Sequence, residues 1–288
     1  MKAAKLSLFV LSATLTASAS TYFFSTGTAN GNMAMASRPD SSGKVEIEAA
    51  DDFFLTDPTL LTSATFTGLL SNASTSDISR VIIEIYQVFP ADSDVGRTSG
   101  PPTFSTTEVP TRVNSPSDVQ FDSRDSSNPL SLTFTSSNLG LISASNSVLN
   151  GINPKPLQTT GGDGAVRGSE VTFNVNFVDP LNLAGGHYFF VPQVELANGD
   201  FYWLSGSRPI TSPGTPFPSG VTDLQAWIRN DGLAPDWLRV GTDIVGGNPA
   251  PTFNGAFTLS GETVPEPSMS LLLGIAIAGL SIVRRPVR

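Results

Sequence analysis

The chain has 288 residues, a formal charge of −9 and no cysteine. Disulfides, thiolate metal sites and cysteine nucleophiles are therefore excluded. The acidic balance also argues against a nucleic-acid partner, because such a surface repels phosphate.

Lys2 and Lys5 precede an apolar stretch from Leu6 to Leu15, and Ala17-Ser18-Ala19 follows as a small-x-small site. This pattern predicts a secretory signal peptide over 1–19, cleaved before Ser20. Ala34-Met35-Ala36 is a second small-x-small site, far from the apolar stretch. Without a twin Arg or a lipobox Cys, general secretion is the expected route. Residues 20–44 are mostly Ser, Thr, Gly, Asn and Ala without periodicity, which predicts a flexible leader. The segment between the two ends carries 11 Lys+Arg against 24 Asp+Glu, a charge near −13. That charge suits metal cations or neutral glycans as ligands, and it equally serves plain solubility.

The body over 45–262 reads as strands. Val171, Phe173, Val175 and Phe177 share one face, with Thr172, Asn174 and Asn176 opposite. This period of two marks a half-buried strand. Similar alternation appears at Ala64, Phe66, Gly68 and Leu70; at Leu130, Leu132 and Phe134; at Leu224, Ala226 and Ile228; and at Phe253, Gly255, Phe257 and Leu259. Val81 to Phe89 is rich in β-branched residues. Asn198-Gly199 between Tyr188–Leu196 and Asp200–Leu204 predicts a hairpin. Arg97 to Pro129 and Gly206 to Gly220, rich in Pro, Ser and Thr, read as long loops. No amphipathic helix stands out. The expected fold is all-β, a single antiparallel β-sandwich with jelly-roll as one form of it.

His187 is the only histidine, and no Gly-x-Ser-x-Gly elbow accompanies it, so an ordinary polar residue at a strand end accounts for it. No pair of carboxylates is singled out for glycosidase chemistry. The expectation is a protein without catalytic residues. Asp92, Asp94, Asp122 and Asp125 offer hard oxygen ligands for calcium, with solvated turns as the alternative. Asp51 and Asp52 point oppositely on a strand; one is a candidate metal ligand, with a solvated strand end as the alternative. Trp203, Trp227 and Trp237 are candidate sugar-stacking residues. Trp227 faces away from Ala226 and Ile228, which places it on an outside face; a Trp packed in the core or anchoring a loop is the alternative.

The last residues combine three features. Pro265-Glu266-Pro267 comes first, then the uncharged apolar run Ser268–Val283, then Arg284, Arg285 and Arg288. The run is apolar all round, so a transmembrane helix over 268–283 is expected. The basic residues keep the C-terminus cytoplasmic and the body outside.

This ordered triple over 263–288 resembles the PEP-CTERM sorting signal of Gram-negative bacteria. The resemblance implies recognition by exosortase, a membrane transpeptidase-like protein, with transient residence in the inner membrane. It further implies cleavage near Pro265-Glu266-Pro267 and passage to the cell surface or extracellular matrix, alongside exopolysaccharide production. The body is also similar to those of uncharacterised PEP-CTERM proteins at Ala50-Asp51-Asp52-Phe53, at Asp223 to Asn230 and at Ala234-Pro235-Asp236-Trp237. The expected role is structural or interactive at the surface; a glycan-binding module on the same anchor, or a surface hydrolase, are the alternatives.

Overall fold

The computed structural model describes residues 19–41, 43–92, 112–152, 159–210 and 217–264. The leader before Ala19, Asp94, and the tail with its expected helix 268–283 lie outside these residues. Among the described residues no helix is long and apolar enough to cross a membrane.

The described chain is almost entirely strand. In order these are β1 (Thr21–Ser25), β2 (Ala29–Ala36), β3 (Ile47–Leu55), β4 (Thr59–Ser71), β5 (Ile78–Gln87), β6 (Asp122–Asp125) and β7 (Leu132–Ala144). There follow β8 (Asn146–Val148), β9 (Val166–Leu183), β10 (Gly186–Leu196), β11 (Asp200–Gly206), β12 (Trp227–Asn230), β13 (Leu238–Arg239) and β14 (Phe257–Thr263). They form two sheets. The larger runs β1-β14-β4-β11-β2-β8, with β9 on the other edge of β4 and β7 beyond β9; the smaller runs β13-β12-β3-β10-β5-β6. All the named strand pairs are antiparallel except β2 with β8. This is the predicted β-sandwich.

The core lies between the sheets and is built by alternation. Val171, Phe173, Val175 and Phe177 of β9 are buried as their spacing predicts, and so are Ala64, Phe66 and Leu70 of β4. Phe66 stacks on Phe173 with ring centroids 4.7 Å apart. Phe190 of the smaller sheet stacks on Phe257 of the larger at 4.9 Å, joining the two layers. Gly255 is required beside them, because a Cβ there would come within 2.2 Å of the Trp203 ring.

Four expectations are corrected. The leader 20–44 is not flexible: β1 pairs with β14, and β2 lies between β11 and β8. Met33, Ala34, Met35 and Ala36 are fully buried. The absence of polar residues in this run leaves no alternation to mark the strand. Asn198-Gly199 does not close a hairpin, since β10 belongs to the smaller sheet and β11 to the larger. Instead the turn carries the chain between layers alongside the β4-to-β5 crossover. Ala197 N–H donates to Asp77 O at 2.8 Å, and the Asn198 amide to Asp77 Oδ1 at 2.9 Å. Gly199 has φ +66°, and a Cβ on it would meet Ser71 O at 2.2 Å. Residues 122–125 are not loop but the edge strand β6, paired to Ile82–Ile85. Leu130 is 75% exposed, because the turn bonds Ser131 N–H to Asn128 O and Leu132 N–H to the same carbonyl delay the strand to Leu132.

Candidate functional site

The outer face of the smaller sheet is covered rather than open. Ala50, Tyr86, Phe189, Val191, Leu224, Trp227 and Trp237 form a second apolar cluster there. Residues 112–121 run beside β5, with Phe89 N–H bonded to Ser115 O, Ser117 N–H to Gln87 O and Phe121 N–H to Ile85 O. Trp237 donates its indole N–H to Ser117 O at 3.2 Å, tying the 231–237 turn to that cover.

The cover decides the fate of the three tryptophans. Trp227 does point away from Ala226 and Ile228, as alternation predicts, but it is only 2% exposed. Leu224 joins it there rather than the main core, since β12 begins only at Trp227. Trp203 is core, its indole donating to Ala256 O at 3.0 Å, and Trp237 is buried as well. None of the three presents a ring face to solvent, so the expected outside position of Trp227 is corrected.

Of the candidate calcium ligands, Asp94 lies outside the described residues, and Asp92, Asp122 and Asp125 form no metal-holding group. Asp125 makes a two-pronged ion pair with Arg80, and Asp122 pairs with Arg124 at 2.7 Å. Arginine holds both carboxylates where a cation would sit. Asp92 occupies a turn at φ +48°. Among the described residues no group of three His, Asp or Glu side chains is placed to hold a metal ion.

Beneath the cover lies a set of ionisable groups that no motif marks. Along β3, Glu48, Ala50 and Asp52 face outward, while Ile47, Ala49 and Phe53 face the core. Glu48 is 4% exposed and receives Arg229 of β12 through both Nε and Nη2, the latter at 3.0 Å. Tyr86 donates its hydroxyl to Glu48 Oε1 at 2.5 Å and also lies 3.3 Å from Glu84 Oε2. The Arg229 guanidinium packs over the Trp237 ring at 4.3 Å. Burial, then the charge of Glu48 beside it, pushes Glu84 up to about 9. Burial raises Glu46 as well, against a hydrogen bond from Gln193. Burial alone would lower Arg229, but Glu48 and its neighbours more than reverse this. At neutral pH Glu84 therefore keeps its proton beside the Arg229–Glu48 ion pair.

A second group sits farther along β3. Asp51 and Asp52 do point to opposite faces, but both are buried, so neither is a solvated strand end. Asp51 accepts Gly255 N–H at 2.9 Å. Burial holds its pKa well above the usual range, reinforced by the charges of Asp52 and Asp223. Asp52 accepts Leu224 N–H at 3.1 Å, and its Oδ2 lies 2.6 Å from Nε2 of His187. Burial raises Asp52, and His187 opposes that shift. The single histidine is thus the half-buried partner of a buried carboxyl group, packed against Phe217 and Phe54. Spacing could not reveal either group, because its members come from β3, β5, β10 and β12 and meet only through strand register.

Chemically, the two groups hold protons and pin loops. Each outer carboxylate fixes a covering segment to the sheet: Glu48 through Arg229, which also reaches Asp118 O and Pro235 O at 3.2 Å each, and Asp52 through Leu224. No solved structure and no curated protein matches the chain. The model of the PEP-CTERM protein-sorting motif matches residues 263–285. The match begins on the last residue of β14, where Thr263 N–H still bonds Ser20 O at 2.8 Å. That motif implies an exported protein, made as a membrane-anchored precursor and processed by exosortase toward the cell surface.

Proposed function

We propose that the chain is a secreted β-sandwich displayed at the cell surface or in the extracellular matrix, with a structural or interactive role linked to exopolysaccharide and no catalytic one. The observation that carries this reading is the position of the motif. The matched segment starts where the last strand ends, so processing within it leaves the sandwich entire. The signal peptide 1–19 exports the chain, the apolar run 268–283 holds it in the inner membrane with the body in the periplasm, and the Arg residues keep Arg288 cytoplasmic. Proline on both sides of Glu266 disfavours helix formation at that point. Cleavage before Ser20 fits the fold; cleavage after Ala36 would remove β1 and β2. Cell fractionation tests the reading: Glu266→Ala is expected to accumulate uncut in the membrane fraction. A variant processed as fully as the parent would contradict it.

A glycan-binding role is the second reading, and a cleft favours it. About 520 Å³ of space is lined by Arg38, Lys44, Asn150, Asp200 and Asn230, among others. Asp200 holds Arg38 at 2.7 Å and Lys44 at 3.4 Å, fixing donors and acceptors at its rim. Retention on purified exopolysaccharide separates the readings: loss on Asn230→Ala supports binding at this cleft, and passage of the parent protein without delay argues against it.

A further inference from the structure

Among the described residues, β7 is the one long strand with an open edge. It pairs with β9 alone, over Leu132–Ala144. The other outer strands are short or charged. β6 is Asp-Ser-Arg-Asp, β13 has two residues including Arg239, β8 has three residues and β1 has five. An exposed edge offers unpaired N–H and C=O groups to any strand that fits, and proteins blunt such edges with charge, proline or shortness. The thirteen residues of β7 contain neither a charge nor a proline. Its one irregularity is the shift between Asn138 and Gly140, where Asn138 Oδ1 accepts Gly140 N–H at 2.8 Å. Leu132–Asn138 runs uninterrupted before it. Exposed apolar side chains gather along this edge: Leu139 and Leu141 on the strand, Leu130 just before it, and Val178 next to the partner of Leu132.

We propose that the β7 edge pairs with β7 of a second copy, joining two larger sheets into one across a two-fold axis. Charge selects this partner. The body is strongly acidic, and two copies approach with least repulsion along a strip without charges. The strip offers no countercharge to a basic or acidic foreign strand. Its own Thr133, Thr135, Ser136 and Ser137 supply the Thr and Ser cross-strand pairs that stabilise antiparallel ladders. A two-fold contact also closes on itself, so it gives dimers and not open fibres.

The geometry has a consequence for the tail. β14 ends beside the start of β4, which pairs with the end of β9, and the end of β9 lies by the start of β7. Antiparallel pairing of two β7 strands therefore puts the two tail exits at opposite ends of the dimer. Such a dimer joins copies from facing surfaces, or copies already released.

The inference does not rest on the sorting reading, and it is tested on the full chain in detergent by sedimentation equilibrium. The parent should pass from monomer toward twice the monomer mass between about 1 and 100 μM, as a small interface would. Thr135 is exposed, so Thr135→Lys and Thr135→Glu should keep the parent's circular dichroism while each stays monomeric. Mixing the two variants should restore a dimer, since opposite charges then face each other. A parent that stays monomeric throughout, or charge variants that associate as the parent does, would overturn the proposal.

Discussion

Glu84→Gln tests the buried carboxyl pair most sharply. In the folded protein Glu84 keeps its proton up to about 9, chiefly by burial and then by the charge of Glu48. In the unfolded chain the same group loses it near 4.3. Between these values the folded state binds a proton that the unfolded state has released. Stability therefore falls as pH rises through this window, by at most about 1.4 kcal/mol per pH unit from this group. The loss levels off above about 9. Asp51 and Asp52, also raised by burial, add to the same downward trend. Glutamine copies the shape of the protonated carboxyl and never ionises. The variant should match the parent near pH 5 and exceed it near pH 8 by about 2–4 kcal/mol, somewhat under the linkage ceiling because Arg229 favours charge nearby. Urea unfolding followed by tryptophan fluorescence reads this directly, since all three tryptophans are buried and Trp237 packs edge-on to Tyr86. A Gln variant whose stability falls with pH as steeply as the parent's would refute the assignment of the proton to Glu84.

Three further outcomes follow from the same geometry. Arg229→Ala strands Glu48 without its bidentate partner under the cover, and should cost about 3–5 kcal/mol in the same urea assay. Phe173→Asp places a charge inside the Phe66–Phe173–Phe201 aromatic contacts and should abolish the cooperative melt, as circular dichroism would record. A chain beginning at residue 45 lacks β1 and β2, leaving an edge of β14 and of β11 unpaired, and should fail to give the sharp amide spectrum of a chain beginning at Ser20.

The sandwich was legible wherever one face of a strand meets the core and the other meets solvent. β9 is the clear case: Phe173 and Val175 are buried, and Asn174 and Asn176 are exposed. The pattern failed where both faces are covered. The buried half of β2, Met33-Ala34-Met35-Ala36, has no polar residue to set a period, so in sequence the segment reads as a leader. Trp227 shows the same limit from the other side. Alternation placed it correctly away from the main core, but it carries no information about a loop, 112–121, arriving from elsewhere to cover it. The Asn-Gly signal at 198–199 correctly marked a tight turn; that the strands on either side join different sheets depends on partners more than a hundred residues away. The buried acid groups are least legible of all. Glu48, Glu84, Tyr86 and Arg229 look like ordinary surface alternation in sequence, and only register across β12, β3, β10 and β5 brings them together.

In the proposed function the sandwich travels on a tail that is removed once the body is outside. The direct measurement is the intact mass of protein released from the surface of wild-type cells. The expected mass is that of a chain beginning at Ser20 and ending near Pro265-Glu266-Pro267, with the whole of β1 to β14 retained. A released chain that still ends at Arg288 would contradict it, and would leave the tail as an anchor alone.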